Sequence, residues 1–181
     1  MDEVSFLIRL LEDNWSDSAT IAAGKSGIKQ ADGSAWVSTP TPNFVDVRSI
    51  QPTQGKRVDL DTKPIIIVYE DSATITHPTI DWSIRNEEYA FTVHLRVLHR
   101  RDYDELTFSR RQLQSLYQMA RHILEKKALR PKVYVDNNSN NAVEASAELI
   151  EITGRSEAND RGKKMLGYKM SVTMKRFGRN T

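Results

Sequence analysis

Glu87 to Arg101 reads EEYAFTVHLRVLHRR, and its reading decides the fold. Tyr89, Phe91, Val93, Leu95 and Val97 take every second place, and Glu88, Ala90, Thr92, His94 and Arg96 take the places between. Period two predicts a strand with one dry face and one wet face. At ~3.3 Å per residue it would run about 35 Å, well past the common strand length. So long a strand with so polar an outer face asks for a partner strand and for a use of the polar side.

The partner strand is read near the end of the chain. In MLGYKMSVTMKRF, Leu166, Tyr168, Met170, Val172 and Met174 alternate with Lys169, Ser171, Thr173 and Lys175. Before it lies NAVEASAELIEIT, joined to it by GRSEANDRGKK, so 154–164 is expected to be a charged hairpin loop. Further strands are predicted in NFVDVRSI (Asn43 to Ile50) and in PIIIVYE (Pro64 to Glu70), whose continuous apolar run implies burial on both faces. QPTQGKRVDLDTK (51–63) reads as a charged loop, DSATITHPTIDW as a turn-rich connection, and KVYV as a short strand.

Two helices accompany the strands. Asp2 caps the first, and Val4, Leu7, Ile8 and Leu11 recur at helical spacing. The second spans about Thr107 to Arg130, with Leu113, Leu116, Tyr117, Ala120, Ile123 and Leu124 on one face and Pro131 as its stop. Between the first helix and the first strand, residues 16–43 show neither period and hold Gly24, Gly27, Gly33, Pro40 and Pro42. This segment is expected to be an extended loop or arm tacked down by Ile21, Ile28, Trp36 and Val37. The order predicts one α+β domain over residues 1–181: an antiparallel sheet covered on one face by helices, with a long N-terminal loop insertion.

Composition narrows the function. Of 181 residues, 39% are apolar and 28% charged, enough for one core. The net charge of +2 is unevenly spread. From Arg155 onward eight basic residues stand against two acids, and the remainder is mildly acidic. A basic end on an acidic body suits head-to-tail association or an acidic partner. With no cysteine, disulfides and thiolate metal sites are excluded. MDEVSFLIRLLEDNW lacks the basic start and small-residue cleavage site of a signal peptide, and no apolar run is long enough to span a membrane.

The search for chemistry returns little. AAGKSG (Ala22 to Gly27) ends like a phosphate-binding loop, but Ala19 stands where that loop needs its first glycine. His94 and His99 are five apart on a strand and point to opposite faces, which rules out one shared metal. His99, Asp102 and Ser109 lack the sharp nucleophile turn of a triad. No cofactor, metal or catalytic residue is predicted. Basic clusters in LHRRDYDE, in SRRQ and in the last strand keep one rival open, a small nucleic-acid-binding protein using its basic C-terminal strand.

The order of elements resembles the tail terminator and head–tail joining (neck) proteins of long-tailed phages and related viruses. The likeness is carried by the helix DEVSFLIRLLEDNW, the run KPIIIVYE, the long strand EEYAFTVHLRVL, the covering helix RRQLQSLYQMARHIL and the closing strand GYKMSVTMKRF. It implies a non-enzymatic virion protein assembled in the host cytoplasm. It also implies a homo-oligomeric ring, commonly a hexamer, that ends the tail tube and joins it to the head connector. Its partners would be its own copies, the tail tube protein and the connector or adaptor, with genome DNA passing through the lumen without sequence-specific contact. Residues placed at subunit or ring–ring contacts are those reaching from loops: Trp36 and Val37, Lys56 and Arg57, and Arg161, Lys163 and Lys164.

Overall fold

A computed structural model of the chain describes residues 2–26, 41–46, 64–77, 84–98, 105–129, 147–160 and 165–179. Helices α1 (Glu3–Asn14) and α2 (Ser18–Ser26) come first, followed by strands β1 (Asn43–Asp46), β2 (Ile65–Thr76) and β3 (Ile84–Leu98). Helix α3 (Glu105–Glu125), a short 3-10 turn (Lys127–Leu129), and strands β4 (Leu149–Glu157) and β5 (Met165–Arg179) complete the order. The five strands form one sheet, β1-β2-β3-β5-β4, antiparallel except for the β1–β2 pair. This is the α+β architecture that the alternation predicts.

The β3–β5 ladder is the frame. Both strands have 15 residues, and pairing runs from Ile84↔Arg179 to Leu98↔Met165 without a break. That length is about 50 Å at the rise of an extended strand. Tyr89, Phe91, Val93, Leu95 and Val97 are all buried, as are Met170, Val172 and Met174 on the same side of β5. Helix α3 lies on this face, burying Leu113, Leu116, Met119, Ala120, Ile123 and Leu124, and α1 adds Val4, Phe6, Leu7, Leu10 and Leu11. Each large side chain so placed contributes roughly 1.5–3 kcal/mol.

Local signals set the element ends. The Asp2 side chain accepts a hydrogen bond from the Ser5 amide at 2.9 Å, the expected N-cap of α1. Trp15 folds back against Phe44 of β1, edge to face at 5.5 Å, and so joins the helix to the sheet rim. Asn43 N–H donates to the Pro64 carbonyl at 2.8 Å, which starts the parallel pairing of β1 with β2.

Three expectations are corrected. The 16–43 segment is not extended throughout: Ser18–Ser26 forms α2, packed on α3 through Thr20 and Gly24. A Cβ on Gly24 would stand 2.6 Å from Met119 Cγ and 3.0 Å from Ser115 Oγ. Contact by small residues leaves no large-apolar period to read. Secondly, Asp71–Thr76 is not a turn but the second half of β2, continued past a bulge between Glu70 and Ser72. All its residues are exposed, so no burial pattern marks it. Thirdly, β4 reaches Glu157, taking Gly154–Glu157 from the expected hairpin loop. The rest of that loop, residues 51–63 and the KVYV segment lie wholly or largely outside the described residues.

Gly24→Leu is expected to destabilise the protein by ~1–3 kcal/mol through overpacking against Met119 and Ser115. Urea unfolding monitored by tryptophan fluorescence measures it; an unchanged midpoint would mean that α2 does not pack on α3.

Candidate functional site

Three regions of the described surface carry more chemistry than solvation requires. The first is the face of the sheet opposite the helices. There Glu88, Ala90, Thr92, His94 and Arg96 of β3 stand beside Lys175, Thr173, Ser171, Lys169 and Gly167 of β5. Its upper part is open and mixed in charge. Lys175 pairs with Glu88 at 3.2 Å, and the Thr92 hydroxyl donates to Asp71 at 2.8 Å.

The lower part of that face is closed, contrary to the expectation of a wholly wet side. His94 is only 5% exposed, and Ile65 and Met165 are buried near it. Gly167, opposite Arg96, makes room: a Cβ there would meet the Leu95 and Ala158 carbonyl oxygens at 2.9 Å and His94 Nε2 at 3.1 Å. The imidazole thus lies over bare backbone, where only glycine fits. Arg96 Nε sits 3.2 Å from each ring nitrogen. Burial, then the charges of Arg96 and Lys169, lower the His94 pKa to about 4, which keeps the ring neutral.

A second region closes the helix-covered face near the start of α1. Arg176 Nη1 donates to Glu3 Oε1 at 2.9 Å, and its guanidinium stands over the rings of Phe6 (5.5 Å) and Tyr89 (5.9 Å). Tyr89 donates to Glu87 at 2.7 Å, and Glu87 also pairs with Arg85. Burial and the bond to Glu87 raise the Tyr89 pKa, so the phenol stays protonated and the network ties α1 to β3 and β5.

The third is the β4 rim. Arg155 is exposed, and its guanidinium is held between Tyr117 of α3 and Tyr168 of β5, 4.7 and 4.8 Å from the ring centroids. Among the described residues no carboxylate pairs with it. An open groove of about 450 Å³ borders the same strand, lined by Glu125, Lys127 and Glu148 to Thr153.

Among the described residues no cluster of His, Asp and Glu is placed to hold a metal. Ser109 is buried, with its hydroxyl 3.4 Å from the Leu98 carbonyl, while His99 and Asp102 lie outside the described residues. Gly24 and Lys25 of the AAGKSG stretch are inside α2, where the backbone amides are engaged in the helix rather than turned toward a phosphate. No described helix is long and apolar enough to cross a membrane.

The residues assigned to contacts from the sequence, Trp36, Val37, Lys56, Arg57, Arg161, Lys163 and Lys164, all lie outside the described residues. Sequence reasoning missed His94 and Arg155. A glycine in a long strand was the available signal for the first, and a basic residue just past the expected strand end at Thr153 was the signal for the second. Fold and surface together define an open-sheet α+β domain whose strand edges and polar face are its outward features. No protein-family model matches the chain, and no curated protein matches it.

The His94 contribution to stability is expected to be level above pH ~6.5 and to fall between pH 6.5 and about 4, because the unfolded chain then binds a proton that the folded His94 does not. His94→Gln should flatten that part of the profile in denaturant titrations at stepped pH. Gly167→Ala should cost about 1–3 kcal/mol, since two of the atoms it meets are backbone carbonyls; a neutral result would mean the His94 packing is wrong.

Proposed function

We propose that this chain is a structural virion protein whose copies form a ring at the tail or neck, ending the tail tube and joining it to the head connector. The observation that carries this reading is the one-sided sheet. A ladder of 15 residues on each central strand is roofed by α1 and α3 on one face only, and a mixed-charge face is left open across most of its length. A ring subunit needs such surface, for neighbours on either side and for a lumen through which DNA passes without being gripped. Paired charges such as Lys175–Glu88 suit passage, because they offer few free cations to phosphate. The hexameric number, the tail tube protein and the connector as partners rest on the resemblance of element order.

The nucleic-acid-binding alternative draws less support. Of the basic residues on β5, Lys175 is paired with Glu88 and Arg176 with Glu3. This neutralises much of the strand whose charge suggested it.

Native mass measurement and negative-stain imaging test the proposal. Discrete annular particles of fixed copy number are expected. A monomer that binds random duplex DNA, with affinity falling steeply as salt rises, would overturn it in favour of the alternative.

A further inference from the structure

We propose that two copies of this chain pair through the outer edge of β2, with Ser72 to Thr76 of one copy lying antiparallel to the same stretch of the other about a two-fold axis at Thr74. The contact goes beyond the ring reading. A two-fold pairing closes on itself after two copies, so it does not build a ring and stands or falls separately from one.

β2 runs well past its outer neighbour. β1 pairs with it only from Ile65 to Val68, whereas β2 continues to Thr76. From Ser72 to Thr76 the strand is paired with β3, from Ala90 to Asn86, and among the described residues no strand lies on its other side. Every residue from Glu70 to Thr76 is exposed, so the stretch stands clear of the core on both faces. An edge strand turns half of its N–H and C=O groups outward, where they offer a template for another strand. Lysine and proline are the usual guards of such an edge, and SATIT (Ser72 to Thr76) has neither. Ile75 in its middle is 48% exposed, the most exposed large apolar side chain among the described residues.

The side chains of this edge complement themselves. Ser72 to Thr76 carries no charge, and the acids Glu70 and Asp71 fall beyond the paired stretch, so two copies meet without like charges opposed. Ala73 and Ile75 face the helix side, level with Tyr89 and Glu87, while Ser72, Thr74 and Thr76 face the open side, level with Ala90, Glu88 and Asn86. With Thr74 on the axis, Thr74 meets Thr74, Ser72 meets Thr76, and Ala73 meets Ile75 on both sides of the axis. Directly opposed residues share a face, so this register keeps the apolar pair together and the hydroxyls together. The small Ala73 of each copy leaves the space that Ile75 of the other fills.

Neighbouring two-fold registers fit less well. One centred on Ala73 brings Ile75 to the bulge between Glu70 and Ser72, where the ladder is interrupted. One centred on Ile75 sets Ala73 against His77, which is already half-buried in its own copy. So short a paired stretch buries less than the ~1,000 Å² of a persistent interface, and the dimer therefore forms only as concentration rises.

The protein has no cysteine, so an introduced thiol reports without background. Thr74→Cys sets two thiols on the axis at the ~4.5–5.5 Å Cα spacing of directly opposed residues, within reach of a disulfide. Under mild oxidation it is expected to give linked dimers at least tenfold faster than Ser156→Cys, another exposed position, on β4. Equal rates for the two would mark random collision and overturn the pairing. In a mixture of Ala73→Cys and Ile75→Cys, the two variants are expected to link to each other in preference to themselves; links without that preference would overturn the register. Ile75→Lys, which places a guard charge on the edge, should weaken the association about tenfold in sedimentation equilibrium, and undiminished association would place the contact elsewhere. Annular particles in which Thr74→Cys does not link would overturn the pairing and leave the ring reading standing.

Discussion

The unbroken pairing of β3 with β5 is the constraint on which the remaining structure depends. Fifteen residues on each strand place the apolar side chains of both in one plane, from Tyr89 to Val97 and from Leu166 to Met174. Once that plane is set, α3 has a surface to cover, and α1 fills what α3 leaves. The same alternation sends every intervening residue to the other side. The open face is therefore a consequence of the core and not a separate feature.

From this follows the way the molecule handles its polar groups. Where the open face narrows toward the β4–β5 turn, Gly167 lets His94 lie against the backbone, and Arg96 covers the ring. At the other end of the ladder, Arg176 crosses from β5 to Glu3 and lies over Phe6 and Tyr89. Both devices use an arginine to finish a layer that aliphatic side chains do not fill. Arg155 is different: two tyrosines orient its guanidinium at the β4 rim, and among the described residues no carboxylate pairs with it.

A sheet of five strands also has two ends, and here they are unlike. Among the described residues β1 pairs only with the first half of β2, and β4 is the last strand at the other end of the order.

Much of this was legible from the residues. Period two in Glu87 to Val97 and in Leu166 to Met174 gave both long strands with the correct inward faces, because one-sided burial writes itself into alternation. The cap at Asp2 and the stripe of α3 were readable for the same reason. α2 was not, since helices that touch through Thr20 and Gly24 need no large side chains; nor was the second half of β2, since a strand exposed on both faces has no alternation to show. The surroundings of His94 and Arg155 depend on residues brought from other elements, Gly167 and Ala158 for one and Tyr117 and Tyr168 for the other. Local sequence determined which face of each segment is apolar; only the tertiary pairing decided which polar groups on the opposite side would be buried, clamped or left at an edge, because those neighbours are far apart along the chain.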